Sequence, residues 1–283
     1  MAEIGEIEDY METIRWGDAV QTVSTVWRRA FLDAVIAPKR FRRVMPELRR
    51  VSDMLVHPGV GTMSAFSIPP PQEPLRILGL DSGYGGMPSQ DLCALLRVAR
   101  WIAPRRIFEI GTFQGATTAQ LAANTDADIC TLDLPREMAA GLDRYIPKEA
   151  ALLQSKDSIG RLYRGHGQDC RIHQLWGDSR TFDYAPYRHS MDLVLVDACH
   201  LYDYVLSDSA KAFELLGDTG TILWHDFGNA QDVTRAVVEL GRCWPIYHLE
   251  GTWLALYVRG VSCAEPLPVV DGRAVAVAAG GRA

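Results

Sequence analysis

Between residues 106 and 258 the apolar positions come in short dense runs, separated by stretches where they recur every three or four residues. Dense runs mark strands buried on both faces, and the three-to-four spacing marks helices with one apolar side. Ile107, Phe108 and Ile110 form the first run, broken by Glu109. Asp128–Leu134 forms the second, Arg171–Ser179 the third, Met191–Asp197 the fourth and Gly220–Asp226 the fifth. Thr117 onward, Asp203–Leu216 and the stretch carrying Val233, Val237 and Leu240 read as helices between them. Trp244–Val258 suggests a closing hairpin that turns at Gly251-Thr252. Strands alternating with helices predict an α/β fold, a doubly wound and mostly parallel sheet with helices on both faces.

The flanks read differently. Ile4, Ile7, Met11 and Ile14, then Val20, Val23, Trp27, Phe31 and Val35, repeat at helical spacing until Pro38. A third helix follows Pro46, so residues 1–56 are expected to be helical and, with a linker, to form an N-terminal helical cap over 1–75. Pro and Gly crowd residues 57–89, which read as linker and loop. Ser89 is the expected N-cap of a helix that runs to Ile102 and stops before Pro104. Residues 76–260 then make the main domain, with a long polar connection at 135–170. The Ala/Gly/Val-rich residues 261–283 are expected to be a disordered tail.

Charge and composition exclude several classes. The net charge of −6 argues against a nucleic-acid binder, which would carry a basic patch. Between Arg15 and Arg50 nine basic residues face three acids. That run is either a solvated or oligomer-forming helical face or a dock for an anionic substrate or carrier. Contact between N-terminal helices is the expected route to a homo-oligomer. Six cysteines without a C-x-x-C pair fit reduced, packed thiols. The acidic start is unlike a signal peptide, and no apolar run reaches the ~20 residues that span a bilayer, so a cytoplasmic protein away from membranes is expected.

The polar residues that interrupt the runs carry the chemistry. Glu109, Asp133, Asp178, Asp197 and Asp226 all fall at or near carboxyl ends of predicted strands, where open α/β sheets bind ligands. A charge at Glu109 is expected to sit at the strand end, meeting ligand or water. Gly111 and Gly115 allow a sharp turn into the next helix, whose first N–H groups are then available. The pattern is E-x-G-x-x-x-G, with Phe113 where a dinucleotide fingerprint has its second glycine. Taken alone it is equally a tight turn. Asp133, 24 residues after Glu109, is placed to hold ribose hydroxyls or to cap its strand.

In order, E-I-G-T-F-Q-G at 109–115, L-D-L-P at 132–135, G-D-S at 177–179, V-D-A-C-H at 196–200 and W-H-D at 224–226 resemble a class I S-adenosylmethionine (SAM) methyltransferase. The likeness covers about residues 90–260 and is narrowest to the macrocin-type and cephalosporin-pathway small-molecule O-methyltransferases. It implies a Rossmann-like sheet of seven strands. It also implies that Glu109, Gly111, Thr112, Phe113 and Gly115 surround the methionine part of SAM. Asp133 would hold the ribose, Asp178 and Ser179 the adenine side, and Asp197 would border the same pocket. His200 would be the general base, and Asp197 and Asp226 would hold a divalent metal.

His225 departs from the acidic residue usual before Asp226 in those relatives. Mg²⁺ prefers oxygen ligands, so His225 as a ligand points to Mn²⁺, Fe²⁺ or Zn²⁺; alternatively His225 faces the sheet. The implied activity is methyl transfer from SAM to a hydroxyl of a small metabolite, as in natural-product biosynthesis. An N- or C-methyltransferase on the same scaffold and a non-catalytic SAM-binding protein are the alternatives.

Overall fold

The computed structural model describes residues 57, 59–80, 86–139, 159–164 and 169–259, with two short strands at 269–270 and 273–274. The expected helices of residues 1–56 lie outside the described residues. The strands are β1 (Val60–Met63), β2 (Arg106–Ile110), β3 (Asp128–Asp133), β4 (Ile172–Trp176), β5 (Met191–Val196), β6 (Leu216–Trp224), β7 (Ile246–Leu249) and β8 (Ala255–Val258). The main helices are α1 (Ser89–Ile102), α2 (Ala116–Asn124), α3 (Tyr202–Leu215) and α4 (Gln231–Gly241).

One sheet takes the order β1-β7-β8-β6-β5-β2-β3-β4. Every pairing is parallel except those of β8, which runs antiparallel to β6 and β7. The hairpin predicted around Gly251 is β7–β8, and Gly251 takes a left-handed φ of 80° at the turn. The sheet has eight strands where seven were expected. The extra one, β1, comes from the stretch that read as linker and pairs with β7 at the edge. Four residues with one buried position are too short and too polar to show as a periodic run.

Alternation along the strands sorts the core into two layers. Phe108, Ile110, Val194, Val196, Ile222 and Trp224 pack with α3 and α4 on one face. Ile107, Leu193, Leu195 and Leu223 pack with α1 and α2 on the other. Burying each such side chain contributes about 1.5–3 kcal/mol. Trp224 is fully buried and satisfies its indole by donating to Ser209 Oγ at 2.8 Å. Ser89 is not the cap of α1: Pro88 takes that position without a side-chain hydrogen bond, and Ser89 is the first helical residue. At the other end Ala103 closes α1 in a left-handed conformation just before Pro104. Among the described residues no helix is long and apolar enough to cross a membrane.

Candidate active site

Successive connections from β2 run to β3 and β4 on one side, while β5 and β6 lie on the other. The sheet therefore reverses direction between β2 and β5, and the crevice beyond their carboxyl ends is where such sheets take ligands. Gly111 stands there with φ 106°. A Cβ on it would lie 2.0 Å from the carbonyl oxygen of Asp197, at the end of β5. Only glycine lets these two strand ends close up.

The turn that follows is held from three directions. Phe113 adopts φ 48° and donates its N–H to Asp133 Oδ2 at 2.7 Å. Gly115, with φ 80°, caps α2 without a side-chain hydrogen bond. Residues 159–164, inside the polar connection, fold back onto the turn. Gly160 N–H donates to the Phe113 carbonyl and Leu162 N–H to the Gln114 carbonyl, both at 2.9 Å. The ring of Tyr163 lies where a Cβ on Gly115 would be, 2.5 Å away.

Glu109 is buried away from water instead of standing open at the strand end. It is 1% exposed, on the face toward α2, and its Oε2 accepts from Thr118 Oγ1 at 2.5 Å and Thr131 Oγ1 at 2.6 Å. Burial pushes its carboxyl up to about 8 against the pull of those two hydroxyls. One residue short of the strand end, alternation sends its side chain inward. Thr112 is also buried, its hydroxyl 2.7 Å from Thr131 Oγ1 and accepting from Gln174 Nε2 at 3.0 Å. These polar residues support the turn from beneath.

Asp133 ends β3 beside the turn, with its second oxygen accepting from Leu134 N–H at 2.6 Å. Asp178 lies beyond β4, where Oδ1 accepts from Arg180 N–H and Oδ2 from Tyr204 at 3.2 Å. Ser179 accepts the Tyr184 hydroxyl on its carbonyl. Its own hydroxyl lies near Asp208, whose two oxygens make no well-formed hydrogen bond among the described residues. Burial pushes the Asp208 carboxyl up to about 7.

The remaining predicted residues meet at the ends of β5 and β6. His200 Nε2 is 2.9 Å from Asp226 Oδ2. His225 Nδ1 is 3.1 Å from that same oxygen and 3.2 Å from Asp197 Oδ1. Asn229 Nδ2 donates to Asp226 Oδ1 at 2.6 Å. Asp226 carries a φ of 62°, a conformation non-glycine residues rarely adopt and one that turns its carboxylate back toward both histidines. A small recess borders this group and is lined by Asp197, Cys199, His200 and His225 among others.

Charge inside the group is strongly coupled. Burial works against ionised His225, but the negative charge of Asp197 and hydrogen bonds to Asp197, Asp226 and Asp91 win, and its imidazole is pushed up to about 12. Burial likewise opposes ionised Asp226, yet hydrogen bonds from His200 and His225 hold it well below the usual carboxylate range.

A divalent cation fits this donor set. One donor atom from each of Asp197, His225 and Asp226 lies within 4.8 Å of the others. The second ring nitrogen of His225 is turned away to Asp91, as is usual for a metal-bound histidine. Entry of a cation would have to displace the proton from Nδ1. His225 is 7% exposed yet faces the carboxylates rather than only the sheet.

Three participants were invisible in the sequence. Asp91 lies within the stretch expected to be the 89–102 helix, Asn229 just after the fifth run and Tyr163 within the polar connection, and none of the three stands out there. Their roles depend on chain segments 134, 3 and 11 residues from their partners His225, Asp226 and Gln174. For Asp91 and Tyr163 no local pattern carries that information.

Residues 108–227, from β2 to the residue after Asp226, match a family model described as methyltransferase domain. The match spans less than half of the chain. More particular likenesses come from solved structures. A methyltransferase of Podospora anserina, PaMTH1, bound to S-adenosylhomocysteine (SAH), is 18% identical over 62% of this chain and 80% of its own, with a TM-score of 0.43. The O-methyltransferase TomG of Streptomyces achromogenes, involved in tomaymycin synthesis and solved with SAM, is 18% identical over 62% and 82%, with a TM-score of 0.39. An O-methyltransferase of Bacillus cereus in complex with SAH is 15% identical over 62% and 84%, with a TM-score of 0.41. No curated protein matches the chain.

Proposed function

We propose that this protein is a SAM-dependent methyltransferase acting on a hydroxyl of a small metabolite, with His200 as general base. The observation that carries the reading is the His200–Asp226 pair, which stands at the same sheet edge as the glycine turn and across the direction change from it. The methyltransferase-domain match over residues 108–227 supports it.

SAM bound at the turn would supply a methyl group on a sulfonium, a leaving group that needs no protonation. Asp133 would hold the ribose, Gly111, Phe113 and Gly115 would shape the methionine end, and Asp178 would border the adenine. Alkyl transfer of this kind asks the protein for alignment and for a deprotonated acceptor. The Asp226 carboxylate can only accept, so His200 Nε2 carries the hydrogen between them and the neutral ring holds its lone pair on Nδ1. That nitrogen takes the acceptor's O–H proton as the oxygen attacks the methyl carbon, and Asp226 stabilises the resulting imidazolium. A divalent cation held by Asp197, His225 and Asp226 would acidify the same hydroxyl, and the nitrogen ligand favours Mn²⁺, Fe²⁺ or Zn²⁺ over Mg²⁺.

The test is His200→Ala against a panel of small hydroxylated acceptors. It should lower kcat by about 10²–10⁴-fold, the usual range for a lost base. SAH affinity, measured by calorimetry, should stay within about threefold, because Asp226 keeps His225 and Asn229 as partners. Full activity in His200→Ala removes the base from this position.

A further inference from the structure

Asp91 is the third residue of α1, where an acid ordinarily faces water and complements the helix dipole. Here it is 0% exposed. A buried carboxylate is costly unless it is paired. Its Oδ2 accepts from Trp253 N–H at 3.2 Å and lies 3.1 Å from His225 Nε2, while Oδ1 has no hydrogen-bond partner among the described residues. The opposite ring nitrogen, Nδ1, points at Asp197 and Asp226. The imidazole is thus strung between one acid beneath the sheet edge and two at its mouth.

A carboxylate facing an imidazole nitrogen requires the hydrogen to be on that nitrogen. Asp91 therefore dictates Nε2–H. Nδ1 is left as the atom whose occupant, a proton or a cation, is decided at the mouth. Without Asp91 the ring would be held only by Asp197 and Asp226, both on the Nδ1 side, and they favour the hydrogen on Nδ1, which leaves Nε2 without an acceptor to keep its own.

We propose that Asp91 is a positioning residue: acting through His225, it fixes the ring's tautomer and orientation so that Nδ1 is presented to the gap between Asp197 and Asp226. The inference rests on reading those three residues as part of the acceptor site. It adds a helix outside the matched methyltransferase segment, since α1 ends before residue 108. It also gives a reason for burying a carboxylate at a helix start.

Two measurements on the full chain test it. Nitrogen-15 NMR of the histidine rings should show His225 with a hydrogen on Nε2 in the wild type. In Asp91→Asn, which keeps an acceptor oxygen, that hydrogen should persist. In Asp91→Ala it should be lost or averaged between the two nitrogens. Titration with Mn²⁺ alone, followed by calorimetry, should give one site in the wild type, weakened about 10–100-fold by Asp91→Asn, the usual effect of losing a carboxylate behind a metal-bound histidine. SAH affinity should stay within about threefold in both variants. A His225 ring that behaves identically in all three proteins overturns the proposal. Unchanged Mn²⁺ affinity in both variants overturns it as well. Absence of Mn²⁺ binding by the wild type removes the cation from the proposed function instead, and the ring spectra then decide the role of Asp91. Should Asp91→Ala fail to fold, Asp91→Asn carries the test: a charge-independent, purely structural contact would leave its Mn²⁺ affinity at the wild-type value.

Discussion

Replacing Glu109 by glutamine separates a ligand-contacting acid from one that supports the turn. The side chain is 1% exposed, takes hydroxyls from α2 and β3, and has its carboxyl pushed from an ordinary 4.5 up to about 8, chiefly by burial. The folded protein therefore keeps this proton between about pH 4.5 and 8 while the unfolded chain gives it up. Stability from this group is full below the unfolded value and lost as pH rises through the folded one. Each pH unit in that window corresponds to about 1.4 kcal/mol, so from pH 5 to pH 8 the loss comes to about 3.5 kcal/mol.

His225 and Asp208 also hold protons more tightly when folded, so the wild type alone cannot report on Glu109. The difference between wild type and Glu109→Gln can. Glutamine resembles the protonated acid, so the two should be close in stability at pH 5. At pH 8 the variant should be more stable by about 3.5 kcal/mol. Urea denaturation at pH 5, 6.5 and 8 measures this. A gap that stays constant within about 1 kcal/mol would mean Glu109 is ionised when folded and has a charged or solvated partner, contrary to the geometry.

Gly111→Ala should cost about 3 kcal/mol or more in denaturant unfolding, since it combines a left-handed φ with a collision at the Asp197 backbone; a loss below about 1 kcal/mol would mean that β2 and β5 can part freely. Asp133→Ala should weaken SAH binding in calorimetry by about 10–100-fold, the cost of losing charge-assisted hydrogen bonds. Binding at wild-type strength would take Asp133 out of the cofactor site and leave it only the Phe113 N–H. Preparing the protein with a chelator should reduce transfer, and Mn²⁺ should restore it better than Mg²⁺. An undiminished rate after chelation takes the cation out of the reaction and leaves Asp226 to its hydrogen bonds with His200, His225 and Asn229.

Much of this molecule was legible as pattern. The five dense runs are β2 to β6 to within a few residues, because a strand covered on both faces must be apolar along its length. Gly111, Phe113, Gly115, Asp133, Asp197, His200, His225 and Asp226 were all legible as candidates, because turn chemistry and polar residues at strand ends stand out against such runs. Their sorting was not legible. Glu109 and Asp133 look alike in the chain, each an acid at the close of an apolar run. One residue of register decides between them: Glu109 precedes the last strand position and is turned into the α2 layer, whereas Asp133 is the last position and stays beside the turn.

By itself, then, the sequence determined the alternation of strands and helices, the glycine turn and the set of polar residues at the carboxyl edge, since each depends on neighbours a few positions apart. Tertiary structure alone decided that β1 joins the edge of the sheet and that residues 159–164 brace the turn. It also decided that Asp91 reaches His225 across 134 positions of chain. Buried polar atoms must find partners wherever the fold brings them, and periodicity does not record where those partners will come from.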